Sequence, residues 1–378
     1  MADPANLLGE KIRRRRKTLD ISQEMLARLA GFPAHQTISQ IEKGEREVKA
    51  WELVKLARAL RVSVQEILAE GEPGPAAAVL WRKQPEEGRT LREAEFLGYC
   101  RSYHRLEILA EAQPHRTLPS ISVDPERLDW NDITRLAEDV SRELGLGVRP
   151  AASLVGVLEE RYGVKIWYLD LGQEGSAACV EGDFGPAILM NRIEAPWRRN
   201  FNFAHELFHI ITWKSAPPTL LQSKPDLSGR FEQFANHFAS NLLLPADSIV
   251  HEVNRRIGER GITCADLIGI AREFDVSTEA LIWRLVAVGG VARPAAEKLL
   301  RDENFRALDR STMFGRWWKP PPLPERFVRL AFIAYQKEKI SRARLAQYLE
   351  TSLLDLRNTL LDYGLDESAD YDTAISAA

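Results

Sequence analysis

Cysteine is scarce: Cys100, Cys179 and Cys264 are the only three in 378 residues. They are odd in number, far apart and without metal-type spacing. That excludes a disulfide framework and a cysteine-held metal, and it fits a reducing cytoplasm. No charged-then-apolar leader is legible, and no apolar run is long enough to span a bilayer, so a cytoplasmic protein with no membrane role is expected. An excess of positive charge is also missing. The net charge is −3, so any nucleic-acid surface must be local. It is local to one end: residues 1 to 70 hold 13 Lys and Arg against 10 Asp and Glu, a net +3, which leaves −6 for the remainder. A composition 45% hydrophobic and 28% charged is that of a soluble globular protein, and the length has room for two or three domains.

Histidine is scarce as well, with 7 in the chain, yet two stand four residues apart in Phe201-Asn202-Phe203-Ala204-His205-Glu206-Leu207-Phe208-His209-Ile210-Ile211. On a helix, residues at that spacing stack on one face, so both imidazoles reach one ion. With Phe201 at zero, His205, His209 and Glu206 fall near 40°, 80° and 140°, at about 100° per residue. The apolar residues crowd the opposite side. The spacing is that of a zinc protease, with Glu206 placed to address the water in the open fourth position.

A second helical pattern, Phe231 to Pro245, supplies a third ligand. Phe231, Phe234, Ala235, Phe238, Ala239, Leu242 and Leu243 form one apolar stripe. Glu232 falls inside that stripe, where a carboxylate without a partner is costly, so a cation is its natural companion. The bland alternative is an ion pair with Arg198 or Arg199. His237 points away from that face, and Asp226 and His251 lie outside it.

These two segments resemble the ImmA/IrrE-type metallopeptidases, a gluzincin-like family. It pairs His-Glu-x-x-His with a later helix that reads here Glu232, Ala235, Asn236, Phe238, Ala239, Leu242, Leu243 and Pro245. The resemblance spans about residues 125 to 290 and includes Pro186 to Asn191 as the strand beside the active-site helix. One departure is Leu207-Phe208, where the family often has a small residue. By this likeness His205, His209 and Glu232 bind Zn2+ and Glu206 is the general base.

The N-terminal stretch reads as five short helices, with Arg13 to Lys17 carried outward on the first. Ser22 caps the second, which stops at Gly31, and Gln36 to Gly44 makes a short third helix with Ile38 and Ile41 inward. A helix, a glycine-containing turn and a short helix describe a helix-turn-helix. Gln23, Ala27, Gly31, Ile38, Ser39, Ile41, Glu42 and Gly44 resemble the signature of the lambda-repressor-like (XRE-type) DNA-binding domain, with a turn one residue longer than the commoner form. His35, Gln36, Thr37 and Gln40 are then candidates for base edges, and Gln23, Lys43 and Arg46 for phosphates.

The expected architecture is α+β, mainly α with a small β-sheet. The domains expected are a DNA-binding domain at 7–70, a linker and connecting helix at 71–124, a zinc peptidase domain at 125–290, a helical region at 291–365 and a disordered tail at 366–378. The sheet is expected to comprise Val164 to Leu169, Ala177 to Glu181 and Ala187 to Met190, and its edge near Ile188 to Asn191 is a candidate for substrate strand addition. The C-terminal helices, expected at Phe327 to Lys337, Ser341 to Leu349 and Ser352 to Tyr363, read as a packing or homodimerisation element.

Two functions follow. One is a regulator that binds an operator, its own promoter included, and cuts a partner repressor or other regulatory protein in a stress or mobile-element response. The other is a DNA-binding regulator or antitoxin, paired with a toxin, whose zinc domain is a sensor or platform.

Overall fold

Residues 4–62, 64–68, 77–114, 116–257, 261–313 and 318–367 are described by the computed structural model. Contacts divide the chain into two units, Met1–Ala77 with Pro85–Ser102, and Ala78–Gln84 with Tyr103–Ala378. Ser63, residues 69–70 of the expected DNA-binding domain, the stretch 71–76 of the expected linker, Arg316 and Trp317 of the second break, and the tail from 368 lie outside the described residues.

In the first unit, α1 (Pro4–Thr18), α2 (Gln23–Ala30), α3 (His35–Glu42), α4 (Ala50–Ala59) and α5 (Val64–Leu68) enclose Ile12, Leu26, Ile38, Ile41, Leu56 and Leu60. Ser22 caps α2 by accepting the Met25 N–H at 3.0 Å. Gly31 ends it at φ +67, a conformation that costs residues with a Cβ. Gly9 lets α1 and α3 touch: a Cβ there would stand 2.2 Å from the Ile41 carbonyl oxygen. The arginine run is not wholly outward, because buried acceptors draw two of its members in. Arg15 donates to the Leu60 carbonyl, and Arg16 forks onto buried Glu42 at 2.6 and 3.0 Å. The first part of α6 (Arg89–Leu109), up to Ser102, belongs here, with Ala94 in the same core.

The second unit is built around β1 (Leu80–Trp81), β2 (Lys165–Leu169), β3 (Ala177–Gly182) and β4 (Gly185–Asn191), in the order β1-β3-β4-β2. β2 runs parallel to β4, and the other pairs are antiparallel. This corrects the expected open edge at Ile188 to Asn191: β4 is paired on both sides, Ile188 facing Cys179 and Ile166. The outer edge of β3 is taken by β1, a strand too short to show a period in the sequence. α7 (Trp130–Leu144) and α8 (Pro150–Glu160) precede β2. α9 (Pro196–Ile211), α10 (Pro218–Ser223), α11 (Pro225–Leu243) and α12 (Ala246–Arg256) follow β4, and α9 packs on β3, β4 and α11. Proline at the first turns of α8, α9 and α11 fits positions that need no N–H.

α13 (Cys264–Glu273) and α14 (Thr278–Ala287) close this core, Ser277 capping α14 through the Ala280 N–H. α15 (Arg293–Arg301) and α16 (Glu303–Ser311) fall within the helical region expected at 291–365, although the sequence pattern marks neither helix individually. They are short and largely exposed, so their apolar pattern is thin. α17 (Glu325–Gln336), α18 (Arg342–Tyr348) and α19 (Leu356–Asp362) are the last helices among the described residues, α19 starting four residues later than expected because Ser352 to Asp355 form a turn. Glu107 on α6 ties two elements together. It accepts from Arg326 of α17 at 2.7 Å and pairs with Lys165 of β2 at 2.9 Å, all three buried. The mainly helical architecture with a small mixed sheet is the one the sequence pattern implies. Among the described residues, no helix is long and apolar enough to cross a membrane.

Candidate metal centre and nucleic-acid interface

α9 and α11 bring His205, His209 and Glu232 together, one ligand atom from each within 4.8 Å of the others. The Nε2 atoms of His205 and His209 are 3.2 Å apart, His205 Nε2 is 3.2 Å from Glu232 Oε2, and His209 Nε2 is 3.3 Å from Glu232 Oε1. A tetrahedral ion with bonds of about 2.0–2.1 Å needs ligand atoms about 3.3–3.4 Å apart. The three residues therefore fit zinc by donor type and by spacing.

The electrostatics suit the same task. Burial holds His205 well below its ordinary range, at about 4, so the ring is neutral and has a lone pair to give. Burial alone would raise the Glu232 carboxyl, but the His205 and His209 rings against it hold it far below the usual carboxylate range. His205 Nδ1 lies 3.1 Å from Asn236 Oδ1, which fixes the tautomer and turns Nε2 toward the cluster. Neither Arg198 nor Arg199 pairs with Glu232. Arg198 lies 3.9 Å from Glu194, and Arg199 donates to the Trp318 carbonyl while lying over its ring.

Glu206 is fully buried, and neither carboxylate oxygen meets a well-aligned donor, although the Cys179 thiol of β3 lies against it. Burial pushes its carboxyl up to about 7. An unpaired carboxylate at the edge of a ligand cluster is a group awaiting a proton donor. His237 is directed elsewhere, its Nε2 at 2.9 Å from Thr134 Oγ1 and its ring against Trp130. Asp226 and His251 are not part of the cluster.

Sequence reasoning gave no role to Arg82. Its Nη2 donates to Asn236 at 3.2 Å, and with Phe201, Asn202 and Asn236 it lines a cavity of about 910 Å³. No pattern marks it, because a lone arginine after a two-residue strand has no period to stand out from.

In the first unit, His35, Gln36 and Gln40 are exposed on α3, Thr37 is half-buried, and Lys43 is exposed just beyond the helix. The two remaining candidates have intramolecular partners. Gln23 donates to Glu42 at 2.8 Å, and Arg46 pairs with buried Glu52 at 2.7 Å.

Residues 159–286 match the family model described as the IrrE N-terminal-like domain (Peptidase_M78), and residues 12–67 match the one described as helix-turn-helix. No curated protein matches the chain. A helix-turn-helix region and a region similar to an IrrE-type peptidase domain are thus joined in one polypeptide.

Proposed function

We propose that the protein is a DNA-binding regulator carrying a zinc-dependent endopeptidase that cuts a partner repressor or other regulatory protein. One observation carries the enzymatic half: two imidazoles and a carboxylate at tetrahedral ligand spacing, with an unpaired Glu206 beside them. His205, His209 and Glu232 hold the ion, which when bound polarises a carbonyl and lowers the pKa of water. Glu206 takes the proton of the attacking water and delivers it to the leaving amine. Asn236 holds His205 in the ligating tautomer.

For DNA, α3 is the recognition helix. His35, Gln36, Thr37 and Gln40 face base edges, and Lys43 faces the backbone. Gln23 and Arg46 keep their phosphate assignment only through atoms not engaged with Glu42 and Glu52. The competing reading, an antitoxin or sensor whose metal domain is a platform, draws support from the complete burial of Glu206.

Glu206→Gln separates the two. Under the peptidase reading it keeps metal and fold and loses about two to four orders of magnitude in turnover. In cells it then traps the uncut partner and abolishes the response. A wild-type response from Glu206→Gln in cells overturns the peptidase reading and leaves the platform.

A further inference from the structure

Arg82 stands outside the matched residues 159–286, yet the fold delivers it to the metal cluster. Its backbone is fixed on both sides: its N–H donates to the Ala177 carbonyl at 3.0 Å, and the next carbonyl, Lys83, accepts from Ser176 at 3.0 Å. Leu80 pairs with Cys179, and alternate strand residues share a face. Arg82 therefore lies on the face of β3 that carries Cys179, the residue against Glu206. The guanidinium rests 5.2 Å over the Phe201 ring, and Nη2 is spent on Asn236. Nη1 is buried without a partner. The carboxylates it feels, strongest first, are Glu206, Glu232 and Glu194.

A buried guanidinium N–H left unpaired is costly, and it is tolerated where a ligand completes it. Charge points to the kind of ligand. A divalent ion with Glu206 and Glu232 sums to zero, so Arg82 makes the centre net positive and favourable to a developing anion. We propose that Arg82 is a substrate-binding residue of this centre, its Nη1 donating to the carbonyl oxygen of the peptide bond under attack. The bond strengthens as that oxygen becomes an oxyanion. Strand pairing, the Phe201 stack and the Asn236 bond hold the donor in place beforehand, as such a role requires. The inference rests on the zinc-peptidase reading.

Inorganic phosphate, a tetrahedral oxyanion, is the probe, titrated calorimetrically into the zinc-loaded full-length chain. A charge-assisted hydrogen bond of the usual strength predicts that Arg82→Met weakens phosphate about ten- to a hundred-fold. Arg82→Lys keeps the charge but not the fork and should lose about ten-fold. Arg198→Met is the control: Arg198 lines the same cavity but its side chain is 71% exposed, so phosphate affinity should stay within about two-fold. Thermal melts check that each variant is folded, and if Arg82→Met is not, Arg82→Lys carries the test. Unchanged affinity in both Arg82 variants, or no phosphate binding by the wild type, overturns the role of Arg82. Metal analysis of the same samples reads the zinc assignment separately: a wild type without zinc refutes that assignment by its own measurement.

Discussion

Replacing Glu107 with glutamine should be one of the most damaging single changes away from the metal cluster. The substitution keeps shape and one acceptor but removes the charge that Arg326 and Lys165 share. Glu107 and Arg326 are 1% and 5% exposed at their side chains, and Lys165 is 4% exposed, so water cannot replace the lost partner. Breaking a buried pair from one side costs about 3–5 kcal/mol. For a folding unit of this size each kcal/mol lowers the melting temperature by about 2–4 °C, so a fall of about 6–20 °C is expected. Calorimetric melting of the full chain reads it. The charge explanation also predicts that Glu107→Gln combined with Arg326→Met costs less than the two single changes summed, because Glu107→Gln alone strands the Arg326 charge that the double change removes. A Glu107→Gln protein melting within about 2 °C of wild type, or strict additivity in the double variant, refutes the reasoning.

Three further outcomes are expected. Gly9→Ala should lower the melting temperature of the helix-turn-helix unit and weaken DNA binding, since its Cβ would stand 2.2 Å from the Ile41 oxygen; unchanged melting and affinity would contradict the close approach. Lys43→Ala should weaken all DNA sequences alike and reduce the slope of log affinity against log salt by about 0.9, whereas Gln40→Ala should change preference at one operator position, both read by titration at several salt concentrations. Burial raises Glu159 to about 8, opposed by Arg326 and Arg329 and reinforced by Glu160 and Glu325, so it stays protonated in the fold where the unfolded chain has ionised. Its stabilising contribution is complete below the unfolded value of 4.5 and is lost as pH rises toward about 8, so Glu159→Gln should gain on wild type in denaturant melts over that range.

The cluster of His205, His209 and Glu232 was legible because its parts are periodic. A four-residue step stacks His205 and His209 on one helix, and the apolar stripe of α11 sets off Glu232. The stripe misjudged Glu232 in one respect: its side chain is 34% exposed, at the rim rather than within the apolar face, since α11 turns that edge toward the cluster. The helix-turn-helix was legible from Ser22, Gly31 and the inward isoleucines of α3. Side-chain partners across elements were not. Gln23 and Arg46 read as exposed polar residues, but Glu42 and Glu52, far from them in pattern, draw them inward. β1 and Arg82 carry no periodic signal, and only pairing with β3 gives them a place. The pairing of β4 on both sides likewise depends on strand order, which local patterns do not encode.

The proposed zinc centre is tested most directly by metal analysis of purified wild-type, Glu232→Ala and His237→Ala proteins. Three ligands at tetrahedral spacing predict about one zinc per wild-type chain. His237→Ala should keep that zinc, because His237 faces Thr134 and Trp130, and Glu232→Ala should lose it. A Glu232→Ala protein that remains fully loaded would contradict the account.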